Sequence, residues 1–599
     1  GYDPNGNLTS VTDPRGSVTI YTYDVMDRVV TRTDPLGRTE HFAYDANGNL
    51  TQVTDRKGQV TTITYDALNR PVAVSYADGS STTASFDAAN RLTQLVDPSA
   101  GMLSFVYDDL DRLTSETSPQ GTISYTYDAA GRRTGMTVAG QPGVSYSYDA
   151  ADRLTQISQG GTTVSFGYDA ADRRTSLTLP NGITVSYSYD AASRLSGITY
   201  ALNGTTLGDL TYSYDAAGRR TSVGGSFART GLPAPLSSAS YDAANQLTTW
   251  NGTSLTYDAN GNLTSDGTNS YTWDARNRLT AISGGTTASF TYDALGRRTN
   301  KTVNGVTTSY LYDGDNVVQE LDGGSPSANY LTGLWVDEVF ARTDANGTLS
   351  FLSDALGSTL ALADASGTLQ TEYTYDPFGA TTVTGAASTN AIQYTGREHD
   401  ETGLYYYRAR YYSPTLQRFL SEDSLGFAGG DLNLYAYVGN SPTNFADPSG
   451  HGKTDVAIWL VRKVGERLEK VRPLSMREAQ MARRHEADIS VLGPGGKRIA
   501  KQIERGVDPQ RKSIHHKPHR EGYLPHYQTP GYTGHTFYRD TYGFALPGAG
   551  LGAMVGRKTG IPVLGGVIDL INPLSDLEFL IDLLEYQMPS YQPGDLVVA

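Results

Sequence analysis

The chain has 599 residues, too many for a single hydrophobic core, so it contains several domains or one large repeat structure. Only 38% of the residues are hydrophobic, yet 41 are Tyr and 65 are Gly; the absence of Cys excludes disulfides, thiolate metal sites and a cysteine nucleophile. The net charge of −15 is unevenly distributed, which indicates parts with different roles.

An aromatic residue followed by Asp recurs along the first half of the chain at a nearly constant spacing. The aromatic positions are Tyr2, Tyr23, Tyr44, Tyr65, Phe86, Tyr107, Tyr127, Tyr148, Tyr168, Tyr189, Tyr214, Tyr241, Tyr257, Trp273, Tyr292 and Tyr312. The segments between them alternate apolar and small polar residues, which predicts half-buried strands joined by Asp-containing turns. Such hairpins must pair with their neighbours to be stable, so we expect a structural array without catalysis.

This array resembles the Rhs/YD-repeat family, and the resemblance extends over about 450 residues. It implies a mainly β fold in which the repeats form a spiralling sheet that closes into a hollow shell, although the periodicity alone also permits an open solenoid. We expect YD repeats at 1–312, an Rhs repeat-associated core with a self-cleaving plug at 313–450, and a small α+β toxin domain at 451–599. The chain begins inside a repeat without Met, so we expect it to be part of a longer protein.

The resemblance to the Rhs repeat-associated core depends on four coincident stretches, at 403–414, 418–423, 433–442 and 447–450. In that family, the aspartates of two DPxG motifs release the C-terminal segment by intramolecular, aspartyl-protease-like cleavage that needs no cofactor. The second motif is intact at Asp447, whereas the first, at Asp423, has Ser in place of Pro.

Two carboxylates held together can share a proton, so that one acts as a base toward water and the other as an acid toward the amide. The resemblance therefore implies catalytic roles for Asp423 and Asp447, with the scissile bond near His451, where relatives usually have an apolar residue. Arg418 is a secondary candidate for stabilising the developing charge. The alternative is that both aspartates only cap turns, and that Arg418 is a structural ion-pair residue.

Composition changes after residue 450, and residues 451–520 contain 17 Lys and Arg against 8 Asp and Glu. This basic segment is either a polyanion-binding face or a solvated helical surface. Apolar residues spaced by three or four positions predict an amphipathic helix, with further helices at 475–488, 496–505 and 567–586. The apolar positions are Val456, Leu460, Val464, Leu468 and Val471.

Five of the nine His lie close together in the tail, at His515, His516, His519, His526 and His535. Imidazoles transfer protons near neutral pH and bind divalent metals, for which His516 and His535 are the candidates. Neighbouring cations suit phosphate binding, namely Arg511, Lys512, Lys517 and Arg520. The His pair faintly resembles the start of His-Me finger nucleases, and the same residues suit a metal-free ribonuclease or a mere surface loop.

The combined interpretation is a secreted or injected bacterial toxin of the kind used in interbacterial competition, with type VI secretion as one delivery route. The released tail is expected to be a nuclease acting on nucleic acid in the target cytoplasm, with a cognate immunity protein and a delivery apparatus as partners. A membrane-active toxin is the second alternative, since 548–566 is rich in Gly and small apolar residues, but Arg557 interrupts any span. Cell-surface adhesion is the third.

Overall fold

A computed structural model describes residues 1–452 in full and, of the remaining chain, the backbone of six strands. The described part contains strands and three short 3-10 helices, at Tyr394–Gly396, Gly426–Gly429 and Val438–Asn440, and no α-helix. No helix among the described residues is long and apolar enough to span a membrane. The residues discussed below as a functional site belong to one compact unit, which includes residues 30–453.

The first large sheet has 21 strands, and from its third strand onward each strand pairs antiparallel with the next along the chain. Its strands are Ser10–Thr12, Val18–Tyr23, Val29–Thr33, Thr39–Tyr44, Leu50–Thr54, Val60–Tyr65, Pro71–Ser75, Ser81–Phe86, Leu92–Asp97, Gly101–Tyr107, Leu113–Ser118, Gly121–Tyr127, Arg133–Val138, Val144–Tyr148, Leu154–Gln159, Thr162–Tyr168, Arg174–Thr178, Thr184–Tyr189, Leu195–Leu202, Thr205–Tyr214 and Arg220–Gly224.

A second large sheet of 14 strands continues the same antiparallel order, after a small three-stranded sheet formed by Ala239–Tyr241, Leu247–Trp250 and Thr253–Ser254. The 14 strands are Thr256–Tyr257, Leu263–Ser265, Asn269–Trp273, Leu279–Gly284, Ala288–Tyr292, Arg298–Val303, Val306–Asp313, Asn316–Asp322, Ser325–Thr332, Val339–Asp344, Gly347–Ser353, Thr359–Ala363, Leu369–Tyr375 and Thr381–Gly385. The boundary expected at residue 312 lies inside one of these strands, so the sheet runs through it without interruption.

A four-stranded antiparallel sheet follows, with strands Glu398–His399, Tyr405–Tyr407, Arg410–Ser413 and Arg418–Phe419. Its tyrosines form a dense aromatic cluster, in which Tyr405, Tyr407 and Tyr412 are completely buried. Edge-to-face packing prevails, as between Tyr407 and Tyr412, whose ring centroids lie 5.5 Å apart. This rigid aromatic core supports the segments that carry Asp423 and Asp447.

Each repeat turn is organised by its aspartate, as in the typical unit that begins at Tyr127. The Asp128 carboxylate accepts the backbone N–H groups of Ala130 at 2.9 Å and Arg132 at 3.0 Å, and the Arg132 Nε at 2.7 Å. Gly131 takes a positive φ of 85°, as the tight turn requires. The aspartate thus satisfies donors that the turn would otherwise leave without partners.

The turn arginine also links one repeat to the next by lying over the following aromatic ring. Arg132 lies 4.8 Å from the centroid of the Tyr148 ring, and the Tyr148 hydroxyl donates to the carbonyl of Arg133 at 2.8 Å. The same stacking recurs along the array, at Arg112 on Tyr127, Arg153 on Tyr168, Arg173 on Tyr189 and Arg194 on Tyr214. These five tyrosines are therefore structural, each combining a cation–π contact with a hydrogen bond to a backbone carbonyl.

The tail contains a six-stranded sheet, in the spatial order Arg467–Leu474, Ala457–Val464, Asp488–Leu492, Thr536–Arg539, His526–Gln528 and Ile514–His516. The predicted amphipathic helix from Val456 is wrong, because Leu460 and Val464 lie in one of the first two strands and Leu468 and Val471 in the other, paired antiparallel with Ile458 opposite Leu474. The first strand contains three β-branched residues, Ile458, Val461 and Val464, which favour a strand over a helix. The helices predicted at 496–505 and 567–586 lie outside the described residues, as does 475–487.

The mainly β class predicted from the repeats is thus confirmed in the described part of the chain. The described tail contributes strands alone, so the α portion of the predicted α+β domain remains a prediction.

The turn mechanism predicts different effects for two adjacent aspartates. Asp108 accepts from the N–H groups of Leu110 and Arg112 and from the Arg112 side chain, whereas Asp109 is exposed. We expect Asp108→Ala to destabilise the array by about 2 kcal/mol, at about 1 kcal/mol for each of the two backbone hydrogen bonds lost. We expect Asp109→Ala to have little effect. Thermal unfolding of both variants measures this, and equal midpoints would contradict the mechanism.

Candidate active site

Asp423 and Asp447, which are well separated in the sequence, lie against the same arginine in the fold. The Nη2 atom of Arg410 is 3.0 Å from Oδ2 of Asp423 and 3.5 Å from Oδ2 of Asp447. Asp447 is fully buried, and Asp423 is only 7% exposed. The pair predicted from the sequence is therefore brought together, with a shared cation between the two carboxylates.

Arg410, which the sequence reasoning missed, is held rigidly at the start of a strand of the four-stranded sheet. Its guanidinium lies 3.7 Å from the centroid of the Phe419 ring. Nη1 donates to the carbonyl of Leu434 at 3.0 Å, and Nε donates to the carbonyl of Gly450. A buried arginine must have polar partners. An arginine inside a run of aromatic residues is therefore the sequence feature that could have revealed Arg410.

The chain after Asp447 wraps around that carboxylate. Oδ1 accepts the N–H groups of Gly450 at 2.9 Å and His451 at 3.2 Å, and Oδ2 accepts the N–H of Gly452 at 2.8 Å. Gly450 has a positive φ of 77° and packs so tightly that a Cβ there would overlap the carbonyl of Tyr407. The peptide nitrogen of Gly452 is thereby fixed on the Asp447 carboxylate.

Burial raises the pKa of Asp447, against the opposing effects of Arg410 and the Gly452 N–H, while the nearby Asp423 raises it further. Asp447 thus retains a proton at higher pH than an ordinary aspartate does. A group of this kind is suited to act as an acid.

Asp423 lies on the carbonyl side of the same peptide. A Cβ placed on Gly429 would be 2.5 Å from Oδ2 of Asp423 and 3.0 Å from the carbonyl oxygen of His451, so both atoms border one small space. Asp423 is oriented by the Leu425 N–H, which donates to Oδ1 at 2.9 Å, and by its own N–H, which donates to Leu434. The His451–Gly452 peptide therefore donates its N–H to Asp447, and its carbonyl oxygen lies within about 5.5 Å of Oδ2 of Asp423, the sum of those two distances.

The two departures from the family pattern, Ser424 and His451, contact each other. The Ser424 hydroxyl is hydrogen-bonded to Nδ1 of His451 at 3.2 Å, and Nδ1 is 3.9 Å from Oδ1 of Asp423. The two substitutions thus form one interaction that fixes the His451 side chain beside the carboxylate pair.

DPxG turns also occur away from this site, for example at Asp34 and Asp376. The Asp376 carboxylate accepts the N–H groups of Phe378 and Ala380, as in an ordinary repeat turn. The distinguishing features of Asp447 are the additional bond from Gly452 and the contact with Arg410. The DPxG motif therefore occurs in this chain both with and without the contacts that surround Asp447.

Arg418 occupies a different position from the one that a supporting catalytic role requires. Its Nη2 donates to the carbonyl of Asn245 at 2.7 Å, and its guanidinium lies 4.8 Å from the centroid of the Tyr435 ring. Burial lowers its pKa. The position beside the carboxylates is taken by Arg410, whereas the partners of Arg418 are a carbonyl, an amide and aromatic rings.

In the tail, the backbone register places some of the predicted histidines together. His515 and His516 belong to the strand Ile514–His516, in which His516 is the register partner of His526 on the adjacent strand. The other predicted toxin residues lie outside the described residues, namely His519, His535, Arg511, Lys512, Lys517 and Arg520. Among the residues whose side chains are described, no three His, Asp or Glu are grouped to hold a metal ion.

Comparison with known families identifies the repeat region. The chain matches the family described as Teneurin YD-shell over residues 21–234 and 183–443, and the family described as RHS Repeat over residues 2–39. The first match extends over more than half of the chain, so the chain belongs to the YD-shell family. The resemblance to Rhs/YD-repeat proteins is confirmed.

Solved structures give the same result for the fold. The crystal structure of TcdB2-TccC3 aligns with 75% of this chain and 30% of that chain, at 20% identity and a TM-score of 0.61. The Tc holotoxin pore of Photorhabdus luminescens, with a mutated TccC3, aligns with 79% of this chain and 31% of that chain, at 20% identity and a TM-score of 0.55. The fold is therefore shared with these toxin complexes.

Curated relatives include proteins named as a nuclease or as toxins. The tRNA nuclease WapA of Bacillus subtilis strain 168 is 33% identical over 250 residues, which cover 38% of this chain and 10% of WapA. Toxin protein Tse5 of Pseudomonas aeruginosa is 42% identical over 101 residues, 17% of this chain and 8% of Tse5. The double-stranded DNA deaminase toxin A of Burkholderia cenocepacia is 30% identical over 194 residues, 27% of this chain and 14% of that toxin. The chain thus spans about a tenth of the length of these relatives.

Proposed function

We propose that Asp423 and Asp447 form an intramolecular, aspartyl-protease-like centre that cuts the peptide bond between His451 and Gly452. The observation that carries this proposal is the position of that peptide, whose nitrogen lies 2.8 Å from one carboxylate and whose carbonyl borders the space beside the other. The cut releases the C-terminal segment from the YD-repeat region.

The reaction is a hydrolysis in which the two carboxylates have different tasks. Asp423, held beside Arg410, takes a proton from water as the water oxygen bonds to the carbonyl carbon of His451. Asp447 gives its proton to the nitrogen of Gly452 as the carbon–nitrogen bond breaks, which leaves a carboxyl group on His451 and an amine on Gly452. Arg410 stabilises the negative charge that remains on the pair.

The self-cleavage proposal predicts that Asp447→Asn and Asp423→Asn each leave one uncut chain on a denaturing gel. Cleavage in the parent chain releases a fragment that is roughly a quarter of the 64.4 kDa chain and that begins at Gly452 by N-terminal sequencing. Asp376→Asn is the matched control, because it changes a buried aspartate of another DPxG turn and should leave cleavage intact. Continued release from Asp447→Asn would refute the assignment.

The direction of the Asp447 pKa shift predicts how the cleavage rate depends on pH. Its raised pKa keeps the acid form populated above the pH at which ordinary aspartates ionise, and the acid form is lost as pH rises through that raised value. We expect the single-turnover rate of freshly refolded chain to fall with rising pH. A rate that increases steadily toward alkaline pH would exclude Asp447 as the acid.

For the released segment, a nuclease activity is the function best supported. The segment is rich in basic residues and His, its backbone register pairs His516 with His526, and the relative WapA is named a tRNA nuclease. His516 and His535 are the candidates for a divalent metal, and a metal-free reaction with two histidines is the alternative. A nucleic-acid deaminase is the second candidate, favoured by the match to the DNA deaminase toxin.

The wider role that we propose is a secreted or injected toxin of bacterial competition, whose shell carries the toxic segment to the cytoplasm of a target cell. An immunity protein in the producing cell and a delivery apparatus would then be its partners. The toxin names of the relatives, Tse5 among them, support this role.

Expression of residues 452–599 in bacteria tests the toxic activity. We expect growth arrest with degraded nucleic acid, relieved by His516→Ala and retained in His485→Ala, a control substitution of another tail histidine outside the cluster. Killing, nucleic-acid integrity and membrane potential are measured together. Growth arrest with intact nucleic acid and a collapsed potential would instead identify a membrane-active toxin.

A further inference from the structure

The first repeats contact the segment that carries Asp423 through buried ion pairs to Glu422, a close one from Arg56 and a longer one from Arg32, whose Nη2 lies 3.7 Å from Oε2. Arg56, which follows the strand Leu50–Thr54, places Nη1 3.0 Å from Oε1 and Nη2 2.8 Å from Oε2 of Glu422, 366 residues further along the chain. The side chains are 5% and 9% exposed. Glu422 immediately precedes Asp423, so this bidentate pair fixes the residue next to the carboxylate.

Arg56 is itself held by several carboxylates and a carbonyl group. Its Nη1 lies 3.0 Å from Oδ2 of Asp34, its Nε lies 3.3 Å from Oε1 of Glu40, and its Nη2 also donates to the carbonyl of Asn260. Burial alone would lower the pKa of Arg56, but Glu422 and Glu40 raise it well above its ordinary value. Arg56 is therefore a permanently charged, immobile anchor for Glu422.

A second contact connects Glu422 to Gly261 and Tyr435. A Cβ on Gly261 would lie 2.6 Å from Oε1 of Glu422 and 2.7 Å from the hydroxyl of Tyr435, which donates to the Gly261 carbonyl at 2.8 Å. Tyr435 follows Leu434, whose carbonyl accepts both the Asp423 N–H at 2.8 Å and Arg410 Nη1 at 3.0 Å. Arg56 is thus linked, through Glu422 and Tyr435, to the backbone that orients Asp423 and Arg410.

We infer that Arg56 is a positioning residue for self-cleavage, acting through Glu422, and that the carboxylate pair acquires its cutting geometry only after the repeats around residues 34–56 have docked. The inference rests on the proposed self-cleavage. It makes cleavage conditional on the array being in place, so that the C-terminal segment is cut free after the repeats have folded and not before.

An ion pair of equal burial that does not contact the site provides the control. Arg133 joins the first sheet to Asp313 of the second through distances of 2.6 and 3.0 Å, with side chains 8% and 6% exposed. Removing Arg133 takes the ion-pair partner from buried Asp313, and removing Arg56 leaves Glu422 with only the more distant Arg32, so we expect both changes to destabilise the fold. Of these two ion pairs, only the one between Arg56 and Glu422 adjoins Asp423.

The experiment follows the uncut fraction of the full chain over time in cell-free synthesis, together with the melting temperature of each product. We expect Arg56→Met and Glu422→Gln each to slow cleavage by about tenfold or more, since small displacements of reacting groups have effects of this size. Arg56→Lys, which keeps the charge, should restore much of the rate, and the double variant Arg56→Met with Glu422→Gln should be no slower than the slower single one. Arg133→Met should melt earlier but cleave within about twofold of the parent chain.

Cleavage of folded Arg56→Met at the parent rate, or equal slowing by Arg133→Met, would overturn the inference. Glu422→Gln is nearly isosteric and keeps the test decisive where Arg56→Met fails to fold. An Asp447→Asn chain that is cut at the parent rate, or a parent chain that stays uncut, would instead refute the self-cleavage proposal and the inference with it. An uncut Asp447→Asn beside a normally cut Arg56→Met refutes the inference alone.

Discussion

Most repeats of this chain turn because one aspartate side chain accepts the N–H groups of its own turn, while the arginine that it holds lies over the aromatic ring of the next repeat. At Asp128 these are two backbone donors and one guanidinium, followed by the contact of Arg132 with Tyr148. The interaction is local, so it can be repeated without adjustment along two large sheets. It also depends on charge: hydrogen bonds from Arg173 lower the pKa of Asp169, so the turn's contribution to stability is complete above the ordinary aspartate pKa and is lost as pH falls through the lowered value.

The candidate active site uses the same turn chemistry in a different setting. At Asp376 the carboxylate accepts the N–H groups of its own turn. At Asp447 the chain continues around the carboxylate, and the N–H of Gly452 donates to the second oxygen. Complete burial and the proximity of Asp423 then raise the pKa of a group that elsewhere in the array is a turn cap. A structural element thus becomes a candidate acid by a change in its surroundings alone.

The repeat fold could be predicted from the sequence because its determinants lie within a single repeat: the aromatic residue, the aspartate and the positive-φ position. The pairing of Asp423 with Asp447 was accessible only through the family resemblance, since nothing local distinguishes Asp447 from Asp376. Arg410 was missed because it lies inside an aromatic run, and its role comes from contacts with Leu434 and Gly450. The tail strands were mistaken for a helix because a four-residue step, as between Leu460 and Val464, fits the two-residue period of a strand as well as the turn of a helix.

The antiparallel pairing of successive strands has a consequence for synthesis. Strands such as Val144–Tyr148 and Leu154–Gln159 are neighbours in both sequence and space, so the contact order of the sheets is low and each new strand closes only a short loop. The array can therefore grow strand by strand as the chain leaves the ribosome, with the N-terminal repeats first. Residues 410–452 emerge afterwards, so the direction of translation itself places the assembly of the cutting site after that of the repeats.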